Sequence, residues 1–340
     1  MIDPDSREEL GWGFARWGEH AEGSPLYRHL SIEVSQDDEI LDLALEFEHG
    51  PKPNILFGAV HLLLRGDDDL ARWYPSLRPD AAAPDEATYR SFRSFVLDRK
   101  ADILEIGRTR YVQTNEPRRA AALLPYIAAE ADRLGEPVHV IEVGASAGLN
   151  LCLDKYSYAF RSGGRIGHSA LVLSIEDRGP VPVPERVPFL QRRVGIDLRP
   201  VNLDDPAEVA WLDALVWPEQ ADRRRRLAAA VAIRRSEQIT MVAGDASSVL
   251  TGVARRLPTG GPVVIWHSFA WNQFSADQRG ALDDAVIEVA RHRSVSRIGW
   301  EFWDRALEWP EIRVGMTEET MRTVARAQPH GEWVEGLSGA

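Results

Sequence analysis

Residues 138–151 read Val-His-Val-Ile-Glu-Val-Gly-Ala-Ser-Ala-Gly-Leu-Asn-Leu. Within them Gly144-Ala145-Ser146-Ala147-Gly148 has the form G-x-S-x-G, which supports two chemistries. As a nucleophile elbow it would present the Ser146 hydroxyl on a sharp strand-to-helix turn, and Asp245 and His330 follow in the chain order of a triad. As a loop of small residues it would let a nucleotide cofactor lie against bare main chain, with Gly144 making the turn, Gly148 allowing close packing, and the N-terminus of a helix from Leu149 favouring an anionic group. Glu142 is an acid at the end of an otherwise apolar stretch, which marks the same spot.

Both chemistries need a strand before the loop and a helix after it. "VHVIEV" and "GLNLCLDKY" supply them. Upstream, residues 1–136 carry helical spacing throughout, and no strand is expected before Val138. Downstream, strands and helices alternate. "RRVGIDL", "QITMVAGD", "GPVVIWHS" and "VSRIGWEFW" read as strands, with "SSVLTGVARRL" and "SADQRGALDDAVIEVARHR" as helices among them. "EIRVGM" and "TVARAQPHGEWVEG" read as a closing antiparallel ribbon. Alternation of this kind implies an α/β domain over 137–340 with a mainly parallel sheet covered on both faces. The Gly- and Pro-rich stretch around 157–192 reads as an insertion with a hairpin of its own.

The serine hydrolase remains an alternative, but the strand carrying Ser146 reads as the first of its sheet. An elbow needs earlier strands and an oxyanion loop between them, and no HGGG-type motif lies upstream. The cofactor reading accounts for more residues. Glu142-x-Gly144-x-Ser146-x-Gly148 resembles the acidic-x-Gly-x-Gly-x-Gly signature of class I S-adenosylmethionine-dependent methyltransferases, with Ser146 standing for the middle glycine. A G-x-G-x-x-G dinucleotide fingerprint is not present, which disfavours NAD.

That resemblance implies a Rossmann-like class I methyltransferase fold with antiparallel C-terminal strands and an N-terminal helical cap. It implies S-adenosylmethionine bound over Glu142, Gly144, Ser146 and Gly148, with Asp197 gripping the ribose hydroxyls, as a carboxylate can accept from both arms of a diol. If the insertion holds the true second strand, Glu176 takes that role. Asp245 would lie near the adenine, and Trp266 would wall it. The stretches "EVGASAGLNL", "QTNEPRR", "GIDLRPVNLDD", "WLDALVWPE" and "HGEWV" also resemble a bacterial domain-of-unknown-function family over nearly the whole chain, which again implies a methyltransferase-like fold and carries over no substrate.

Ligands of open parallel sheets bind beyond the carboxyl ends of the strands. "WHSFAWNQF" would therefore face the transferred methyl group. His267 is the first base candidate and Glu301, after the next strand, the second; a satisfied structural histidine and a buried acid are the plain alternatives. Ser268, Trp271 and Asn272 would orient an acceptor, or cap and pack the next segment. Asn115, beside Glu116, would touch the cofactor's amino-acid end unless it merely caps a helix.

Composition narrows the partners. The 340 residues are 44% hydrophobic and 27% charged, as in ordinary globular proteins. A net charge of -12 argues against a general nucleic-acid binder, so a small-molecule acceptor is expected. The run Arg223–Arg226 reads as a solvated helix face. His61 in an apolar helix reads as a core histidine. The single Cys152 excludes an intramolecular disulfide and reads as a core residue. No Cys, His or carboxylate spacing suggests a metal site. The acidic start lacks a signal-peptide pattern and no apolar run spans a bilayer, so a cytoplasmic location without membrane partners is expected. A non-catalytic member of the same fold is the further alternative. The sequence leaves the oligomeric state open.

Overall fold

The computed structural model describes residues 6–304 and 306–338; the first residues of the acidic start lie outside them. The chain divides into two compact units. One comprises 1–114 with 205–225, the other 115–204 with 226–340.

The first unit is helical: α1 (Arg7–Glu19), α2 (Pro25–Val34), α3 (Asp38–Leu45), α4 (Lys52–Leu63), α5 (Glu86–Asp98) and α6 (Lys100–Thr109). α1, α2, α3 and α5 start where a side chain satisfies free N–H groups. Ser24 caps α2, and Asp85 with Thr88 forms a capping box on α5. α4 is buried nearly all round, as its apolar sequence demands. Gly58 on α4 explains why 205–225 joins this unit: a Cβ there would stand 2.9 Å from the Trp211 ring. His61 is a core histidine. Its Nδ1 lies 3.0 Å from Ala214 O, and Nε2 meets Ser76 Oγ at 2.8 Å and the Arg224 guanidinium at 3.0 Å. Of the run expected to be a solvated face, only Arg225 is exposed; Arg224 is drawn inward by His61 and Asp213.

The second unit takes in α7 (Arg119–Leu134), which packs on its sheet. The strands are β1 (Val138–Val143), β2 (Ser157–Phe160), β3 (Gly164–Ile166), β4 (Val172–Arg178), β5 (Leu190–Asp197), β6 (Thr240–Ala243), β7 (Val263–Ser268), β8 (Val295–Glu301), β9 (Glu311–Gly315), β10 (Arg322–Ala327) and β11 (Trp333–Gly336). The remaining helices are α8 (Pro206–Ala214), which belongs to the first unit, and α9 (Ala221–Ser236), α10 (Ala246–Arg256) and α11 (Ala276–Ala290).

All strands join one sheet in the order β3-β2-β4-β11-β10-β9-β8-β7-β1-β5-β6. β6, β5, β1, β7 and β8 are mutually parallel, and the hairpin strands β9, β10 and β11 then alternate in direction. The fold is thus mixed α/β with a mostly parallel centre. The closing ribbon forms as expected, with a third strand. The insertion contains the expected hairpin, β2–β3, but β4 pairs with β11, so the segment extends the far edge of the same sheet.

β1, β7 and β8 are buried at every position, which is why they read as continuous apolar runs rather than alternating ones. One face packs Ile141, Val143, Val194, Ile196, Val263 and Ile265 against α10 and α11. The other lies under α7. The sheet order reverses at β1: the next strands of the parallel block, β5 and β6, lie on one side of it and β7 and β8 on the other. Such a switch point is where a crevice opens beyond the strand ends.

Candidate functional site

Among the described residues only two non-glycine residues have positive φ, Ser146 at 49° and Phe269 at 58°. They follow β1 and β7, which pair through Val143 and His267. A left-handed backbone is costly for serine and more so for phenylalanine, and such strain gathers where a chain is held for function. Gly144 (φ 73°) and Gly148 (φ 70°) need no such tolerance, lacking a Cβ. A Cβ on Gly144 would also stand 2.6 Å from the Cβ of Ala270, so the β1 and β7 loops touch there.

The loop's own N–H groups are all used internally. Gly144 N and Ala145 N donate to Ile196 O at 2.8 and 3.2 Å, and Gly148 N to Ala145 O at 2.7 Å. Ser146 N donates to Asp197 Oδ2 at 2.8 Å, and Ala147 N to Asn115 Oδ1 at 3.3 Å. The segment after the loop is a 3-10 turn, Asn150–Lys155, broken at Cys152, not the α-helix expected from Leu149. Neither an open row of amides nor a helix dipole is offered to an anion there, which corrects the anion-binding expectation.

Asn115 belongs to this cluster. Its Nδ2 donates to Ser146 Oγ at 2.9 Å. α7 starts only at Arg119 and has no side-chain cap, so Asn115 is not a capping residue. Asp197, the last residue of β5, also accepts from Arg199 N at 2.8 Å. The following Leu198 is 68% exposed. Glu176 instead sits on β4, ion-paired with Arg161 and Arg178, with β11, β10, β9, β8 and β7 between β4 and β1. Of the two acids offered by the sequence, Asp197 is the one at the loop.

Glu142 is 2% exposed. Asn150 Nδ2 donates to its Oε1 over a long 3.4 Å, and Oε2 has no hydrogen-bond partner. Burial pushes its carboxyl up to about 8; the Trp266 indole N–H, the Asn150 amide and Arg119 draw it down, and Asp197 raises it. The Trp266 nitrogen also lacks a well-formed hydrogen bond. It and the carboxyl are neighbours across paired strands that influence each other without closing that bond.

Asp245 caps α10. Its Oδ1 accepts from Ser247 N at 3.0 Å and Oδ2 from Gln278 Nε2 at 2.8 Å. Burial raises its pKa, but the Gln278 and Ser247 hydrogen bonds outweigh that and lower it.

His267 and Glu301 meet each other inside the sheet. His267 Nδ1 lies 2.8 Å from Glu301 Oε1, and Arg297 Nε donates to His267 Nε2 at 3.1 Å. His267 is therefore neutral with its proton on Nδ1, and burial followed by Arg297 holds its pKa below the ordinary value. Both ring nitrogens are engaged, so the geometry presents no lone pair to a substrate proton. Glu301 Oε1 also accepts from Ala270 N at 3.0 Å and Trp271 N at 3.1 Å. The pair anchors the β7 loop, and Arg297, itself bonded to Asp283, stacks 4.3 Å over Trp271. Ser268 and Trp271 are buried, and Asn272 is exposed. Cys152 is buried with its thiol pushed up to about 12 by desolvation, which makes it unreactive.

Several residues of this cluster carried no sequence expectation. Arg119 stacks 4.2 Å over the strained Phe269 and donates to Pro329 O at 3.0 Å. Arg297 left a trace, being a charge amid "VSRIGWE", where a two-sided buried strand should be apolar. Phe269 left none, since nothing in its type announces positive φ.

The profile of a bacterial family of uncharacterised conserved proteins, DUF2332, matches residues 13–335. The chain belongs to this family. No curated protein matches it by sequence. The DUF2332 match spans both units, so the helical unit is part of what the family shares. Among the described residues of this DUF2332 chain, no group of three or more His, Cys, Asp or Glu could hold a metal, and no helix is long and apolar enough to cross a membrane.

Proposed function

We propose that the protein binds S-adenosylmethionine at the carboxyl ends of β1, β5 and β6 and acts as a methyltransferase on a small acceptor, with a Rossmann-like class I methyltransferase fold. The observation that carries this reading is the loop's charge preference. Its five N–H groups are spent internally, while the acid behind it, Glu142, has an oxygen without a partner. A phosphate-bearing cofactor finds no donors here. A cationic nucleoside meets a buried carboxyl with one oxygen that makes no hydrogen bond, and a buried polar atom without a partner is costly.

The residues present fit that group. The parallel order β6-β5-β1-β7-β8 with its reversal at β1 supports a nucleoside lying across the switch point. Asp197 is fixed against the loop where ribose hydroxyls would reach it, and exposed Leu198 offers an apolar surface for the base. Gly144 is exposed, so main chain is open to close approach. When bound, the cofactor supplies an electrophilic methyl group.

The chain's own residues orient and exclude water. Glu301, bonded to His267, holds the backbone of Ala270 and Trp271, and Ala270 touches Gly144; in this reading Glu301 and His267 are positioning residues and not bases. Acceptors that need no protein base, such as a thiolate or an unprotonated amine, suit such a site. The same lack of an open base favours a second reading, a protein that binds the cofactor without turnover. The hydrolase reading draws no support from Ser146, whose hydroxyl accepts from Asn115 rather than meeting an imidazole. Titration calorimetry with S-adenosylmethionine and S-adenosylhomocysteine tests the proposal. Saturable binding that Asp197→Ala weakens at least tenfold is expected; a folded protein that binds neither compound overturns it.

A further inference from the structure

Three ionisable side chains of β7 and β8 lie fully buried together: His267, Arg297 and Glu301. A buried charge cluster is weak evidence of stability, since an apolar set of the same volume often does as well. This one is also incompletely satisfied, with no hydrogen bond at Arg297 Nη2 or Glu301 Oε2. Yet the ring has a fitted seat. His267 pairs with Gly299 across the two strands, and a Cβ there would stand 2.6 Å from His267 Cε1.

The donors dictate the tautomer. Arg297 Nε has only a proton to offer His267 Nε2, so that nitrogen accepts and the ring proton sits on Nδ1, facing Glu301 Oε1. With the proton on Nε2, two N–H groups would meet at one end of the ring and two lone pairs at the other. Glu301 Oε1 gathers the Nδ1 proton together with Ala270 N and Trp271 N. Those amides follow Phe269, whose φ of 58° needs support from its surroundings. On the other side, Arg297 Nη1 donates to Asp283 Oδ1 of α11, and Asp283 Oδ2 accepts from Glu318 N at 2.8 Å. Glu318 is exposed, in the turn between β9 and β10.

We propose that Arg297 is a positioning residue for the crevice: by occupying His267 Nε2 it fixes the ring proton on Nδ1, and through that proton it keeps Glu301 on the β7 loop that sets Ala270 against Gly144. Asp283 aims the guanidinium, and so ties the β9–β10 turn to the same loop. The effect on a ligand rests on the binding reading above; the effect on the ring and the loop does not. The charged groups facing the ring are Glu301 and Arg297 from β8 and Asp283 from α11. β9 adds Arg313, stacked on Trp303 and paired with Glu311. Without Arg297 the ring loses a cation and keeps its carboxylate, so it takes a second proton more readily.

The test uses the full chain with Arg297→Met, which removes the donor at similar volume, and Asp283→Asn. Nitrogen-15 spectra of the imidazoles follow the ring from about pH 5 to about pH 8, with the His267 signals assigned by their loss in His267→Gln. In wild type a neutral Nδ1–H ring is expected. In Arg297→Met the ring should gain its second proton at a clearly higher pH, a change that a merely structural arginine would not produce. Hydrogen exchange at Ala270 and Trp271 should quicken about tenfold relative to the β1 amides, and the Kd for S-adenosylhomocysteine should rise about fivefold. Asp283→Asn should move each readout the same way by less.

Unchanged ring protonation or unchanged loop exchange in Arg297→Met overturns the inference. If that variant does not fold, Asp283→Asn decides alone, and wild-type behaviour in every readout overturns it. Equal ligand affinity of wild type and Arg297→Met also overturns it. A wild type that binds no S-adenosyl compound sinks the binding reading instead, while the ring and exchange measurements still decide whether Arg297 holds the loop.

Discussion

The backbone N–H of Ser146 donates to Asp197 Oδ2 at 2.8 Å. One carboxylate at the end of β5 thereby fixes the strained turn at the end of β1. Asp197→Ala removes the acceptor for both Ser146 N and Arg199 N. Each stranded donor costs roughly 1–3 kcal/mol, so a clear drop in urea midpoint is expected alongside lost S-adenosylhomocysteine binding. Asp197→Asn keeps one acceptor and should sit between. Equal stability of Ala and wild type would show that this contact holds nothing.

Gly144 should tolerate no side chain. Alanine there meets Ala270 at 2.6 Å and must adopt φ near 73°. Overpacking of this kind costs about 1–3 kcal/mol, with the backbone strain in addition. Gly144→Ala is expected to lower the melting temperature and weaken cofactor binding together. Gly13→Ala, inside α1 with nothing within 4 Å of the added carbon, is the control: it should leave binding unchanged and raise the melting temperature slightly, since Ala favours a helix over Gly by about 1 kcal/mol.

Ser146 should be inert as a nucleophile. A fluorophosphonate probe is expected to leave the protein unlabelled, since the hydroxyl is held by Asn115. Labelling that disappears in Ser146→Ala would restore the hydrolase.

Glu301 anchors three donors through one oxygen. Glu301→Ala strands them in a buried setting and should cost about 3–5 kcal/mol, in the range for breaking a buried polar pair. Glu301→Gln retains the acceptor oxygen and should cost much less. If Gln is as damaging as Ala in chemical unfolding, charge rather than anchoring is what the loop needs.

Stability should respond to pH in opposite senses at two sites. His61 is held down to about 4, by burial first and Arg224 next. Its contribution is full above the unfolded value near 6.5 and is lost as pH falls towards 4, amounting to about 3 kcal/mol. Glu142 is raised to about 8. Its contribution is full below the unfolded value near 4.3 and disappears as pH rises through 8, on the order of a few kcal/mol. Unfolding free energies of wild type and Glu142→Gln should therefore converge in acid and separate by pH 9, with the variant the more stable.

The sequence by itself settled whatever depends on local pattern. Runs buried on both faces, such as "VHVIEV" and "GPVVIWHS", are legible as parallel strands because no alternation survives when both sides are covered. The alternation of strand and helix, the glycine loop and the acids at strand ends were likewise open to reading. Local pattern misled where partners decided the outcome. Leu149 onward has helical spacing yet forms a 3-10 turn, and Asn115 has a capping residue's type yet bonds to Ser146.

Only the tertiary structure decided which acids and bases are available for chemistry. His267 reads as a base from its place at a strand end, and the fold puts Glu301 and Arg297 on its two nitrogens, contacts separated by 34 and 30 residues in sequence. Asp197 and Glu176 were equivalent as letters and were told apart by strand order. Protonation, strain and pairing are properties of neighbours brought together by folding. A one-dimensional pattern fixes which faces are apolar, but it does not say which polar atom is left facing another.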